Sequence, residues 1–375
     1  MLNNVPVYHG LSDEEIERLS SDISQTYAKA SAHQPAGIEN SDEDESSVVD
    51  VQVVIGREVP AVPDLLGIDP TVYRQINSAI RSGKQHLMFY GPPGTGKTTM
   101  AQHCARSLAS KHTLITGSSD WTSQDVIGGY QPIGNGRIEF VPGILLRHFD
   151  RPLIIDELNR CDIDKVIGPL FTVLSGQKTT LPYRVQVEQR DSDFFEILPK
   201  PNPSARKDIE FAPGAAWRIV ATINSIDKAS LYQMSYALTR RFAWIYLDVP
   251  TDLNDFLQQY LTREQIQEMG SQVVLPRARI WQSVNAVRLI GPAPVIDMIK
   301  VIREMDSGLS FSADPTEDQA AIYLDGFDMF ILPMLDGIFR DGAQAMTQGI
   351  CEGLKLHAES ALRHRVEQRL RSVSV

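Results

Sequence analysis

Between positions 91 and 99 the chain reads Gly91-Pro92-Pro93-Gly94-Thr95-Gly96-Lys97-Thr98-Thr99, which fits the spacing G-x-x-x-x-G-K-[ST]. Glycines at these places let a backbone wrap so that successive N–H groups converge on an anion at the positive end of the following helix. Lys97 would then reach β- and γ-phosphates, and the Thr98 hydroxyl would offer an oxygen to Mg²⁺. By ordinary residue usage the bare pattern arises in about one chain per hundred of this length, so its context decides. An apolar stretch at 86–90 precedes it and a helix-forming stretch at 98–109 follows, the strand–loop–helix setting that phosphate binding needs.

A second apolar stretch, Leu153-Ile154-Ile155-Asp156-Glu157, ends in two carboxylates. A buried parallel strand delivers its last residues to the carboxyl edge of its sheet, where a phosphate loop also opens. There Asp156 would hold Mg²⁺, directly or through water, and Glu157 would orient and polarise an attacking water. Alone the pair is weak evidence, because acids commonly follow strands as helix caps. The stretch 218–224 is a further strand, ending in Asn224, whose carboxamide suits a γ-phosphate or lytic water and equally suits a turn. Arg240 and Arg241 stand just before a fifth strand. The guanidinium fork pairs with phosphate oxygens, and it also serves on solvated helix ends.

The elements that must position these residues follow from hydrophobic spacing. Strand-like runs at 86–90, 113–116, 152–156, 217–223 and 243–247 alternate with helical stretches, which argues for an α/β fold with a parallel sheet. A helix over 70–82 precedes the first strand. From 252 onward the pattern is helical, with apolar spacings of three and four in 281–290 and 295–302. Pro292 and Pro294 fall between those two stretches, where a first-turn proline is tolerated. Three regions result: an N-terminal extension, 1–65, partly flexible; an α/β nucleotide-binding core, 66–250; and a helical lid with C-terminal helices, 251–375. In the extension, Ser12 and Glu15 make a capping box for a short helix, and 31–47 is a polar spacer carrying Asp42-Glu43-Asp44-Glu45. The stretch 178–216 reads as an unusually long loop.

The chain has 375 residues, 42% of them hydrophobic, enough for a sizeable core. With 36 Lys and Arg against 47 Asp and Glu, the net charge is −11. That disfavours a protein whose whole surface binds nucleic acid and leaves a local basic ring or channel open. No apolar run approaches the roughly 18 residues of a membrane helix, and the opening MLNNVPVYHGLSDEE shows no secretory signal. Cys104, Cys161 and Cys351 are too dispersed for a disulfide framework or a zinc cluster. A cytoplasmic protein without a membrane partner is the expectation.

Taken together, these segments resemble the AAA+ ATPases of the MoxR/McrB-like branch over about residues 66–305. Asp156-Glu157-Leu158-Asn159-Arg160 resembles the branch's D-E-[IL]-N-R. Asn224-Ser225-Ile226-Asp227 and the run from Tyr236 to Phe242 are similar to N-T-A-D and Y-A-L-R-R-R-F of the McrB motor. The stretch 129–143 is similar to the hairpin that this branch inserts, and its Gly134-Asn135-Gly136 is a tight-turn signal in its own right.

The resemblance implies a P-loop NTPase core with a helical lid, using ATP and Mg²⁺, with GTP the alternative base. It implies that Asn224 is a sensor and that Arg240 and Arg241 are candidate arginine fingers acting on a neighbour's nucleotide in a homo-oligomeric, hexameric ring. The implied role is the motor of a bacterial antiviral defence or restriction system with a separate effector or nuclease; a MoxR-like chaperone remodelling a protein client is the alternative. Two departures stand out. Val295 occupies the place of the branch's sensor-2 arginine, with Arg288 as a substitute. No counterpart of McrB's folded DNA-binding domain is read at the N-terminus, so nucleic acid binding by the isolated subunit is expected to be weak. The basic run with Arg363, Arg365, Arg369 and Arg371 carries Leu362, Val366 and Leu370 at spacings of four and reads first as a packing helix.

Overall fold

The computed structural model describes residues 58–62, 65–134, 136–224, 234–266, 276–311 and 313–375. The capped helix near Ser12, the polar spacer with its acidic run, Asn135 and Ser225 to Asp227 lie outside the described residues. Every described residue belongs to one compact unit, Val53–Val375.

Helix α1 (Pro70–Arg81) starts where Asp69 accepts from the Thr71 N–H at 2.7 Å and Pro70 supplies a pre-set first turn. It buries Val72, Tyr73 and Ile76. Strand β1 (His86–Gly91), helix α2 (Lys97–Leu108) and strand β2 (Thr113–Thr116) follow. Then come the short helix α3 (Ser123–Val126), the hairpin β3 (Gly128–Gly134) and β4 (Arg137–Pro142), the one-turn α4 (Ile144–Arg147) and strand β5 (Leu153–Asp156). Two short helices, α5 (Ile163–Ile167) and α6 (Phe171–Leu174), lead to β6 (Thr179–Arg184), β7 (Phe194–Ile197) and β8 (Glu210–Phe211). Strand β9 (Ile219–Asn224), the single turn α7 (Tyr236–Thr239) and strand β10 (Phe242–Tyr246) complete the core.

The main sheet has the order β10-β1-β9-β5-β2, with every neighbouring pair parallel. Side chains alternate across it, as strand geometry requires. Leu87, Phe89, Ile154, Val220 and Ile245 pack with α1 and α2, whereas Met88, Ile155 and Ala221 pack with the helices on the opposite face. Burial of both faces explains why these strands are continuous apolar runs, and it leaves only their carboxyl ends for chemistry. In register there, Gly91 stands opposite Asn224 and Thr116 opposite Asp156. At Gly91 φ is 149°, and a Cβ would lie 2.1 Å from the Leu247 carbonyl oxygen, so only glycine fits where β1 turns into the loop.

The stretch 178–216, expected as a loop, instead contains a small sheet in which β6 pairs antiparallel and β8 parallel with β7. Its aromatics Tyr183, Phe195 and Phe211 meet Tyr130 and Phe140 of the β3–β4 hairpin, with Phe140 and Phe195 centroids 4.7 Å apart. The Tyr130 hydroxyl also donates to the Arg184 carbonyl at 3.1 Å. Short strands interrupted by Pro182 carry little periodic signal, and the partner that completes them lies far away in sequence.

Among the described residues six α-helices follow the sheet: α8 (Leu253–Arg263), α9 (Pro276–Asn285), α10 (Pro292–Met305), α11 (Glu317–Phe330), α12 (Arg340–Gly353) and α13 (Ala361–Ser372). They share one core that includes Phe256, Trp281, Ile299, Tyr323, Phe327 and Met346. Pro292 and Pro294 sit in the first turn of α10. Helix α13 buries Val366 and Leu370, while Arg365 contacts Asp325 at 2.7 Å and Asp328 at 2.6 Å, and Arg369 lies 3.3 Å from Asp328. That is the packing role read from its spacing. Among the described residues no helix is long and apolar enough to cross a membrane.

Candidate functional site

At the carboxyl end of β1 the loop folds over its own lysine. Lys97, 6% exposed, donates from Nζ to the carbonyl oxygens of Gly91 at 3.1 Å and Pro92 at 2.6 Å. Thr95 Oγ1 donates to the same Pro92 carbonyl at 3.0 Å. Burial pulls the Lys97 ammonium down from its ordinary 10.5 to about 8, and the charges of Asp156 and Glu157 oppose that fall. A phosphate would offer this cation a full negative charge where the carbonyls offer dipoles.

Residues distant in sequence converge beside it. Thr98 Oγ1, at the start of α2, donates to Asp156 Oδ1 at 2.7 Å. Thr222 Oγ1, on β9, donates to the same oxygen at 2.6 Å and accepts the Glu157 N–H at 3.0 Å. A hydroxyl beside a carboxylate is a hard oxygen donor set, suited to a divalent cation that keeps water and substrate phosphates in its shell. The residues therefore fit Mg²⁺, with Thr98 and Asp156 as the holders. Among the described residues no group of three or more His, Cys, Asp or Glu could hold a metal by itself, so phosphate oxygens would complete the shell.

Glu157 has φ 51° and ψ 48°, a left-handed conformation that costs a non-glycine residue about 1–2 kcal/mol. Its carboxylate forms an ion pair with Arg160. Asn224 ends β9 between β1 and β5, half-buried and in register with Gly91, so it stands between the loop and the acids.

The two arginines part company. Arg241 is committed inside its own subunit: its guanidinium donates to the carbonyls of Phe171, at 2.9 Å, and Ala237 and to the Ser175 hydroxyl, and it stacks 5.2 Å above the Phe171 ring. Arg240 is exposed, and its guanidinium has no partner among the described residues. Its carbonyl accepts from Lys84 Nζ at 2.9 Å. Arg240, Arg241, Lys84 and Lys200 line a groove of about 750 Å³ at the amino-terminal end of β1 and β10, with no carboxylate in its lining. Nothing in the sequence sets Lys84 and Lys200 in one groove with these arginines. A lone lysine in a polar stretch gives no signal until folding sets it beside another cation.

The helical region reaches the loop through backbone hydrogen bonds and through the Pro294 ring, which lies against Gly94. The Gly291 N–H donates to the Pro93 carbonyl at 2.8 Å and the Ala293 N–H to the Gly94 carbonyl at 3.1 Å. Val295 is buried, and Arg288 donates to the Met334 carbonyl at 2.9 Å, inside the helical region and away from the loop. A Cβ at Gly291 would lie 2.3 Å from the Gly94 carbonyl carbon. Gly291→Ala is therefore expected to push α10 off the loop and destabilise the fold by about 1–3 kcal/mol, read as a lowered melting temperature. An unchanged melt would show that this contact does not hold the lid.

Parts of this chain are similar to known proteins. Residues 86–242 match the model of the AAA domain, dynein-related subfamily. The chain is 33% identical over 118 residues to midasin of Giardia intestinalis, covering 28% of this chain and 2% of that protein. It is 36% identical over 87 residues to the Holliday junction branch migration complex subunit RuvB of Desulfosudis oleivorans, covering 22% of this chain and 25% of that one. With replication factor C small subunit 2 of Pyrobaculum islandicum it shares 44% identity over 61 residues, 15% of this chain and 19% of that protein. Among solved structures, the Thermotoga maritima RuvB Holliday junction branch migration motor aligns over 83% of this chain and 89% of its own, with 16% identity and a TM-score of 0.41. The chain thus spans a quarter or less of each of these curated relatives. Residues 86–242 thus carry an AAA domain of the dynein-related subfamily.

Proposed function

We propose that this protein hydrolyses ATP in a ring of identical subunits and couples the reaction to remodelling or activating a partner protein. The observation that carries the reading is the hydrogen bond from Thr98 to Asp156, which joins the phosphate loop to the acidic strand end. In this reading the loop backbone from Gly91 to Thr99 and the Lys97 ammonium hold the phosphates. Thr98 and Asp156 would hold Mg²⁺, which would supply positive charge against that of the triphosphate. Glu157 takes the proton of the attacking water, and Asn224 orients that water against the γ-phosphate. Arg240 reaches the nucleotide of a neighbouring subunit, with Lys200 beside it, while Arg241 holds the turn that presents Arg240.

The motor or regulatory subunit of a bacterial antiviral defence or restriction system, acting with a separate effector or nuclease, is the setting we favour. Its support is the likeness of the segments around Asp156, Asn224 and Arg241 to the McrB motor. Direct nucleic acid binding by the isolated subunit should be weak, because Arg365 and Arg369 are spent on Asp325 and Asp328. The test is phosphate release from ATP and from GTP by the full chain, beside its assembled mass with and without nucleotide. ATP turnover by nucleotide-dependent oligomers is the expected result. Preference for GTP would revise the base, and a monomer without turnover would reject the reading.

A further inference from the structure

We propose that Thr222 is the positioning residue for both acids of the site. The inference rests on the reading of Asp156 as the metal-side acid and Glu157 as the water-side base. Its starting point is a break in the sheet. The β5–β9 ladder ends at the pair Ile155 and Ala221, and at Glu157 the chain leaves the sheet through a left-handed turn. The next N–H on the β5 side, that of Glu157, meets the Thr222 hydroxyl at 3.0 Å where a backbone carbonyl would otherwise have received it. The same hydroxyl gives its proton to Asp156 Oδ1 at 2.6 Å.

One oxygen therefore fixes two things. Its donated proton sets the rotation of the Asp156 carboxylate, and with the Thr98 hydroxyl at 2.7 Å it directs two donors to Oδ1. Its accepted proton holds the backbone of Glu157 in a conformation that β-carbon sterics disfavour, and that backbone aims the Glu157 side chain. Thr222 is 1% exposed, so its hydroxyl has no water to turn to. Its χ1 is restricted by branching at Cβ, which keeps the hydroxyl on one bearing. Thr222 is placed to touch neither phosphate nor water; it acts through the two residues that do.

Thr222→Val keeps the shape and removes the hydroxyl. Three measurements on the full chain test it: the melting temperature, the affinity for a fluorescent ATP analogue with Mg²⁺ and with EDTA, and the Mg²⁺ dependence of turnover. We expect affinity in EDTA to be unchanged, because Lys97 and the loop backbone do not touch Thr222. We expect the gain in affinity from Mg²⁺ to shrink and the Mg²⁺ concentration for half-maximal turnover to rise, each by about tenfold to a hundredfold, as for other partners that orient a metal ligand. The turnover number should fall while KM in saturating Mg²⁺ stays close to that of the wild type. Thr222→Ser, which keeps the oxygen, should recover most of each loss; if it behaves as Thr222→Val does, the hydroxyl is not the agent and the inference is overturned. A folded Thr222→Val protein with the wild-type Mg²⁺ dependence and turnover number also overturns it, while leaving the proposed function standing. If the wild type shows neither turnover nor any effect of Mg²⁺ on nucleotide affinity, the functional reading falls and the role of Thr222 falls with it. Should Thr222→Val fail to fold, the comparison of wild type with Thr222→Ser and Thr222→Ala decides, with serine expected to track the wild type and alanine not.

Discussion

If the proposed function holds, Glu157→Gln is expected to bind ATP with an affinity close to that of the wild type and to turn it over about 10²- to 10⁴-fold more slowly, the range that a positioned general base contributes. The substitution keeps the length and planarity of the side chain and removes only its capacity to accept the proton of water. It also removes the ion pair with Arg160, but that arginine is 61% exposed, and pairs of this kind contribute little to stability. The melting temperature should therefore move little, and nucleotide-dependent assemblies should persist in a loaded state. Lys97→Ala provides the contrast, because loss of the cation facing the phosphates should abolish tight binding itself. Phosphate release and nucleotide titration on both variants separate the roles. Turnover at the wild-type rate in Glu157→Gln would remove Glu157 from the chemistry, and unchanged affinity in Lys97→Ala would remove the phosphate loop.

Replacing Arg240 by Ala is expected to lower turnover by about 10³-fold or more, as loss of a charge-stabilising arginine does in other phosphoryl-transfer systems, while the same subunit should still bind nucleotide. The groove at the amino-terminal end of β1 and β10 lies at the opposite edge of the sheet from the loop, so its cations serve no phosphate in their own subunit. Arg241→Ala should behave differently. It removes two hydrogen bonds and a ring contact that tie the α7 turn to Phe171 and Ser175, and a third hydrogen bond to Ala237 within the turn, so the melting temperature should fall together with turnover. Mixing Arg240→Ala with Glu157→Gln subunits is the decisive form of the experiment. Some interfaces then pair an intact glutamate with an intact arginine, and activity should partly return. No recovery at any ratio, with mixing confirmed by mass, would refute action across the interface.

Much of this protein is legible in its amino-acid sequence, because the informative features are local. The loop from Gly91 to Thr98 declares itself by covalent spacing, and a loop that wraps a phosphate is built from consecutive residues. The strands that carry Asp156 and Asn224 are continuous apolar runs ending in a polar residue, as burial on both faces requires. The start of α10 is written in Pro292 and Pro294, and the packing role of α13 in the spacing of Leu362, Val366 and Leu370.

Tertiary structure decided what depends on neighbours distant in the chain. Strand order is one such matter: β9 enters between β1 and β5, and only that insertion stands Asn224 beside Gly91 and brings the Thr222 hydroxyl to Asp156. A threonine inside an apolar strand carries no sign of its partner, since a hydrogen bond of 2.6 Å depends on the register between two strands rather than on either strand's composition. The same holds for the arginines. Adjacent in sequence and identical in type, they differ because the chain turns one toward the Phe171 carbonyl and leaves the other exposed beside Lys84 and Lys200. Arg288 is spent on the Met334 carbonyl for a similar reason. The small sheet formed by β6, β7 and β8 acquires its aromatic partners from a hairpin remote in sequence. Residue type and spacing along the chain name the chemistry that a segment can do; which groups share it is a property of non-local packing.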